Sequence, residues 1–268
     1  MTILEWLLGS MKKLADAGVD SPRRDCLVLL EDLLQKDRSW ILAHAEHELG
    51  QSQIKTLDNQ VNRRTRREPL AYVRRKAWFY GRSFRVNPSV MIPRPESESF
   101  IGLLKEINPK KIIDIGTGSG CLAISAKLEL PESDVYAIDI STDALKIAEQ
   151  NIKKYKVSIK TMEGSLLEPL KTLSFDPDVI MANLPYVPEE LITSKEITYE
   201  PSLALFSRSD GLDHYRQFWQ QIKVLEIKPE YILAESLQSQ HKEMIELAEK
   251  SGYKPEKTDT LVQEFKLV

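Results

Sequence analysis

From Lys110 to the C-terminus, short runs of aliphatic and β-branched residues alternate with longer stretches of helical periodicity. This alternation restricts the possible folds more than any other feature of the chain. KKIIDIG, DVYAIDI, SIKTMEG, PDVIMANLP and YILAES read as five strands. CLAISAKLEL, STDALKIAEQNIKKY with Ser141 as its N-cap, Gly211 to Glu226 and Gln238 to Ser251 read as helices, and the chain ends in QEFKLV. Repeated strand–helix units imply an α/β fold, a parallel sheet wrapped by helices.

The first third of the chain follows a different pattern. Leu4, Leu7, Leu8, Met11 and Leu14 follow helical spacing, so MTILEWLLGSMKKLADAG reads as an amphipathic helix. It lacks the basic start of a secretory signal, and Glu5 interrupts its apolar run. Ser21-Pro22 is an N-cap and first-turn pair for a second helix. Ser39 is the expected cap of another, and Ser52 to Arg67 a polar helix that places Ile54, Leu57 and Val61 on one face, with Pro69 ending it. Between residues 72 and 92 aromatics cluster at Tyr72, Trp78, Phe79, Tyr80 and Phe84. Gly81-Arg82 is the expected turn, and Ser83-Phe-Arg-Val-Asn alternates like a strand. The expected division is a helical domain over 1–72, a β-hairpin linker over 73–91 and an α/β domain over 92–268.

Composition removes several function classes. The 268 residues carry a net charge of −3, which argues against nonspecific nucleic-acid binding by the molecule as a whole. Residues 61–85 hold nine basic side chains against Glu68 alone. Such a run is usually a solvated face, the reading preferred here over a docking surface for an anionic partner. The two cysteines, Cys26 and Cys121, have no metal-ligand spacing, and His44 and His47 read as a solvated pair on one helical face, so no metal site is expected. No apolar run reaches membrane-spanning length, and a reduced, cytoplasmic setting fits.

The loop Gly116-Thr117-Gly118-Ser119-Gly120 follows one strand and opens a helix, which lets backbone approach a ligand without Cβ clashes. Cys121 stands where the dinucleotide fingerprint wants Gly or Ala. Asp139 ends the next strand, 25 residues after Asp114, placed to accept hydrogen bonds from ribose hydroxyls. Loop and acid together imply a nucleoside cofactor.

Asn183-Leu184-Pro185-Tyr186 ends the fourth strand, where α/β folds face their ligand crevice. An amide nitrogen, or an amine conjugated to a ring, is a poor nucleophile because its lone pair is delocalised. The Asn183 side-chain oxygen and the Leu184 carbonyl can accept its two N–H hydrogens and favour the positive charge that builds during attack. Tyr186 can lie against the planar group. With a sulfonium methyl donor, positioning supplies most of the catalysis and no strong base is needed. The reading is an S-adenosylmethionine-dependent methyltransferase aimed at a planar nitrogen.

The chain resembles the release factor glutamine methyltransferases. Arg67-Glu68-Pro69-Leu70-Ala71-Tyr72 is similar to their Arg-Glu-Pro junction. Ile92-Pro93-Arg94-Pro95-Glu96-Ser97-Glu98 is similar to their Ile-Pro-Arg-Pro-Asp-Thr-Glu stretch, and Tyr199-Glu200-Pro201 to their Phe-Glu-Pro segment. Asn183 to Tyr186 occupies their Asn-Pro-Pro-Tyr position, with Leu184 at the first proline. The resemblance implies a Rossmann-like class I methyltransferase domain preceded by a small helical bundle and a β-hairpin. It implies methylation of the glutamine side-chain nitrogen in the Gly-Gly-Gln motif of class I peptide chain release factors. By it, Gly116 to Gly120, Asp139, Leu166 beside the adenine, and Asn183 bind the cofactor. Arg94 joins Asn183, Leu184, Pro185 and Tyr186 against the substrate, and the helical domain holds the release factor. A monomer is expected, with nucleic acid not a direct substrate.

Two rival readings share the same residues. One is a methyltransferase for exocyclic amines of RNA or DNA, which uses the same Asn-Leu-Pro-Tyr geometry. The other is a non-catalytic module that binds cofactor or release factor.

Overall fold

The structure, a computed structural model, describes residues 1–172, 176–191, 194–207, 210–224 and 227–268. They form two compact units, one of residues 1–76 with 194–199, the other of residues 77–193 with 200–268.

The first unit is helical: α1 (Ile3–Asp16), α2 (Pro22–Leu34), α3 (Arg38–Ala43), α4 (Gln51–Arg64) and α5 (Leu70–Arg74). A capping box between Thr2 and Glu5 starts α1. Its buried face is Ile3, Trp6, Leu7, Ser10 and Leu14, while Leu4 and Leu8 are 48% and 58% exposed. The expected stripe is therefore rotated. Trp6 and Ile3 take the inward face, and at 100° per residue that turns Leu4 and Leu8 outward. Ser21 occupies the N-cap of α2, but its side chain makes no capping bond. Ser39 does not cap α3; Asp37 does, accepting from the Trp40 N–H at 2.8 Å. Asp25 is buried, and Arg64 donates to it at 2.8 Å.

The basic run turns out not to be a simple solvated face. Among the described residues, six of its nine cations meet carboxylates inside their own unit. Arg63 pairs with Glu68, Arg64 with Asp25 and Glu196, Arg67 with Glu196, Arg74 and Lys76 with Asp32, and Arg82 with Glu129. All of these acids except Glu68 come from elsewhere in the sequence, which is why a local count of charges missed them.

A hairpin of β1 (Lys76–Phe79) and β2 (Arg82–Arg85) turns at Tyr80-Gly81, one residue before the expected Gly81-Arg82. Both turn residues have positive φ, 47° and 69°, the type I′ signature whose twist matches a two-residue hairpin. The Tyr80 N–H is anchored on Glu98 at 2.7 Å. Phe79 and Phe84 are buried in the core of the second unit.

The elements of the second unit continue with α6 (Ser99–Ile107), β3 (Lys111–Ile115), α7 (Cys121–Glu129), β4 (Asp134–Asp139), α8 (Thr142–Tyr155), β5 (Lys160–Glu163) and β6 (Val179–Ala182). They end with α9 (Ser202–Leu205), α10 (Asp213–Val224), β7 (Tyr231–Glu235), α11 (His241–Glu249), β8 (Tyr253–Asp259) and β9 (Val262–Leu267). Glu226, the expected end of the helix that became α10, lies outside the described residues. The seven-stranded sheet runs β5-β4-β3-β6-β7-β9-β8. Its first five strands are parallel, and β9 pairs antiparallel with both β7 and β8. The alternation predicted the five parallel strands and the tail, but not β8. That strand, YKPEKTD, is exposed at every position after Tyr253, so it carries no apolar signal.

Side chains alternate between two cores. Ile113, Ile115, Ile180 and Ile232 face α10 and α11 residues such as Phe218, Trp219 and Met244. Ile112, Val135, Val179 and Leu233 face Phe100, Leu104, Leu122 and Ile124 from α6 and α7. A parallel sheet covered on both faces needs such all-apolar strands. It also fixes where a ligand binds. The strand order reverses between β3 and β6, and the crevice opens at their C-terminal ends. Among the described residues, no helix is long and apolar enough to cross a membrane.

Candidate functional site

A cavity of about 360 Å³ lies at that reversal. Its wall is mostly apolar with a few polar groups, the usual character of a small-molecule site. Gly116, Thr117, Gly118, Ser119, Asp139, Leu166, Asn183, Leu184, Pro185 and Arg94 all line it. Segments spread over more than a hundred residues of sequence thus meet at one place. Gly120 and Tyr186, also expected in the site, are not on its wall.

The loop after β3 is built for close approach. Gly116, Gly118 and Gly120 all have positive φ. A Cβ on Gly120 would sit 3.3 Å from the Ala148 and Ile124 side chains, so this glycine serves the packing of α7 on α8. Asn151, fully buried on α8, holds the loop from below. Its Nδ2 donates to the Ser119 carbonyl at 2.8 Å and to the Arg85 carbonyl at 3.0 Å, and its Oδ1 accepts from the Arg85 N–H at 2.8 Å. The loop and β2 are therefore tied through one carboxamide.

Two acids flank this loop. Asp139 Oδ2 accepts from the Gly118 N–H at 2.8 Å and Oδ1 from the Ser141 N–H at 2.9 Å. Burial raises its carboxyl above the ordinary range, and these backbone donors oppose the shift. Asp114 is fully buried. Its Oδ2 accepts from Thr117 at 2.7 Å and from the Ala123 N–H at 3.2 Å, while Oδ1 has no hydrogen-bond partner among the described residues. Burial pushes Asp114 up to about 7. Burial raises the Cys121 thiol to about 12.

The Asn183–Tyr186 turn is held on three sides. Asn183 Nδ2 donates to Ser97 Oγ at 2.9 Å and to Glu235 Oε2 at 3.1 Å. The Tyr186 hydroxyl donates to Glu235 Oε1 at 2.7 Å, and burial raises its own pKa far above the ordinary tyrosine value. The Leu184 side chain is buried, and the Leu184 N–H lies 3.4 Å from the Tyr215 hydroxyl. A Cβ built on Gly116 would be 3.6 Å from the Asn183 carbonyl oxygen, so turn and glycine loop abut.

Glu200 explains why two distant motifs occur together. Its buried carboxylate accepts from the Ile92 N–H at 2.9 Å and from Arg94 Nη2 at 2.5 Å. Pro93 and Arg94 of the Ile92-Pro93-Arg94-Pro95 stretch are thereby held on the wall of the cavity.

Several lining or supporting residues escaped the sequence reading. Ile140 lines the cavity directly after Asp139 and is 63% exposed. The available signal was an apolar residue just past the strand end. Leu203, on α9, lines it at 77% exposure, and His214 and Gln217 reach it from α10. Glu235 closes β7 with a buried carboxylate, the kind of residue that needs partners from elsewhere.

The features fit S-adenosylmethionine on independent grounds: an unpartnered buried oxygen on Asp114, a glycine loop open to backbone approach, and a carboxylate at the end of β4.

Comparison with known proteins agrees. Residues 5–74 match the PrmC N-terminal domain family, and residues 95–200 the methyltransferase small domain family. A release factor glutamine methyltransferase of Koribacter versatilis is 33% identical, covering 83% of this chain and 83% of its own length. One from Bacillus subtilis is 32% identical, covering 84% and 81%. A bifunctional methyltransferase of Rickettsia bellii is 32% identical over 80% of this chain, which spans 45% of that longer protein. Of such bifunctional relatives the chain covers about half the length. Among solved structures, the hMettl16 catalytic domain in complex with a MAT2A 3'UTR hairpin superposes with a TM-score of 0.57 at 13% identity, covering 90% of this chain and 89% of that one; the likeness is one of fold. On identity and coverage together, the chain belongs to the release factor glutamine methyltransferase family.

Proposed function

We propose that this protein transfers a methyl group from S-adenosylmethionine to the side-chain amide nitrogen, N5, of the glutamine in the Gly-Gly-Gln motif of class I peptide chain release factors. The observation that carries the reading is the meeting of the Asn183–Leu184 turn with the glycine loop on one cavity. Family membership supports the choice of nitrogen.

Bound S-adenosylmethionine supplies a methyl group on a sulfonium sulfur, an electrophile that needs no further activation. Gly116 to Ser119 and Asp139 hold the cofactor, with Asp139 toward its ribose and Leu166 toward its adenine, while Gly120 lets the loop pack closely on α8. Asn183 Oδ1 and the Leu184 carbonyl accept the two N–H hydrogens of the substrate amide. They fix the nitrogen for in-line attack and favour the charge that develops on it. Pro185 and Tyr186 shape the face beside the planar group, and Arg94, held by Glu200, borders the entrance. The 1–72 region serves as the docking domain for the release factor, 73–91 as a hairpin linker and 92–268 as the catalytic domain. The protein works as a monomer in the cytoplasm.

The test is a competition. The protein is incubated with labelled cofactor, a class I release factor and ribosomal RNA, and the label is mapped by mass spectrometry. Label on the Gly-Gly-Gln glutamine is expected. Label on RNA alone would sink the reading, and cofactor binding without any transfer would mark a non-catalytic module.

A further inference from the structure

Glu235 ends β7 with no exposed surface, and its two carboxylate oxygens accept from different donors. Oε1 accepts from the Tyr186 hydroxyl at 2.7 Å and Oε2 from Asn183 Nδ2 at 3.1 Å. Asn183 Nδ2 also reaches Ser97 Oγ at 2.9 Å. A carboxamide has one donating and one accepting end. With the donating end on Glu235 and Ser97, Oδ1 is the end left for the cavity that Asn183 lines. The opposite flip would bring Oδ1 against a carboxylate oxygen, two acceptors with no proton between them. An ionised Glu235 therefore tolerates one orientation of Asn183 only.

The backbone around Glu235 is equally constrained. The Tyr215 hydroxyl lies 2.5 Å from the Glu235 carbonyl and 2.8 Å from the Ala182 carbonyl, joining the ends of β6 and β7. The carboxylate thus sits on a strand end that cannot drift relative to the turn it organises.

We propose that Glu235 is a positioning residue whose ionised carboxylate sets the flip of the Asn183 amide and anchors Tyr186, so that methyl transfer requires Glu235 to be charged. The proposal rests on the reading that Asn183 Oδ1 accepts from the substrate nitrogen. It adds a residue that meets neither cofactor nor substrate.

The groups facing Glu235 are Arg94 and Glu96 from the segment before α6, Tyr186 from the turn after β6 and Tyr215 from α10. From α11, His241 Nε2 lies 3.3 Å from the carbonyl of the next residue, Ser236. Burial raises the Glu235 carboxyl above the ordinary range; hydrogen bonds from Ser97 and Tyr186 lower it, Glu96 raises it and Arg94 lowers it. Once protonated, Glu235 offers one acceptor and one donor, and either flip of Asn183 is satisfied. A glutamine does the same at every pH.

The experiment compares the wild-type chain with Glu235→Gln at saturating S-adenosylmethionine, following release-factor methylation across pH. The expected result is a variant slower by at least about twofold near pH 8, the loss when two flips are equally satisfied, without the acid limb that Glu235 gives the wild type. Other acids such as Asp114 titrate in both proteins, so the limb that disappears belongs to Glu235. Cofactor affinity by calorimetry stays within about threefold, less than one hydrogen bond contributes. In parallel, the ¹⁵N side-chain amide signal of Asn183, identified by its loss in Asn183→Ala, shifts in Glu235→Gln and on acidifying the wild type. This signal needs no turnover. If it responds while the wild type leaves release factors unmethylated, the assigned substrate fails and the positioning role stands. A wild-type rate, a retained acid limb and an unmoved Asn183 signal in Glu235→Gln would overturn the proposal. If that variant does not fold, the wild-type titration decides: an Asn183 signal that stays constant through the acid limb overturns it equally.

Discussion

Asn183 sits where three constraints meet: the end of β6, the rim of the cavity and the carboxylate of Glu235. Replacing it with alanine removes an acceptor for the substrate nitrogen but leaves the glycine loop and Asp139 in place. Asn183→Ala should therefore abolish transfer while cofactor affinity changes by less than about tenfold, because one hydrogen bond contributes about 1 kcal/mol. Calorimetry and a labelled-methyl assay check both halves, and unchanged turnover would refute the role given to Asn183. Leu184 adds a second lesson at this scale. It replaces a proline of the family pattern and so loses the rigidity of a ring. In return its side chain is buried among Ile115, Ala182 and Tyr215, and its N–H faces the Tyr215 hydroxyl. Packing holds the turn where the ring would have.

At the scale of elements, the clearest test concerns α3. Asp37 caps it through the Trp40 N–H, and Ser39 lies inside the first turn. Asp37→Ala should cost about 1 kcal/mol of stability, and Ser39→Ala much less. Urea denaturation of the two variants distinguishes them, and equal effects would contradict the capping assignment. The segment around Glu196 supplies a pH signature within the helical unit. Its carboxylate accepts from Arg67 at 2.6 Å and from Arg64 at 3.1 Å, and these guanidinium groups, Arg67 foremost, hold it down at about 2, against an ordinary 4.5. A lowered carboxylate stabilises the fold fully above its unfolded pKa and loses that contribution as pH falls through its folded one. The wild type should therefore melt higher than Glu196→Gln at pH 7, and the gap should close between about pH 4.5 and 2. A gap independent of pH would mean that the pairs contribute nothing.

For the whole molecule, the net charge of −3 and the internal pairing of six of the nine cations in residues 61–85 point the same way. Nonspecific nucleic-acid binding depends on cations free to neutralise phosphates. Fluorescence anisotropy with a labelled ribosomal RNA fragment at physiological salt should show binding no tighter than about 10⁻⁴ M, the weak end of the nonspecific range. Tighter, steeply salt-dependent binding would reopen an RNA substrate.

The sequence by itself determined the class of fold and most of one wall of the site. Strand–helix alternation is a local property, written in the burial of Ile112 to Ile115 and Val179 to Ala182. The glycine loop and the Asn183 turn are local too, since tight backbone and an unusual strand end need particular residues at adjacent positions. Tertiary structure decided what depends on partners far along the chain. Glu235 reads as the end of an ordinary strand until Asn183 and Tyr186 are seen on its two oxygens. Glu200 becomes intelligible only beside Ile92 and Arg94, and the basic run only beside Asp25, Asp32, Glu129 and Glu196. Beyond Tyr253, the exposed β8 became a strand because β9 offered an edge to pair with, and no hydrophobic period announces that. Periodicity records which face a residue turns to the core, whereas hydrogen bonds and ion pairs between distant segments leave no mark in either segment alone.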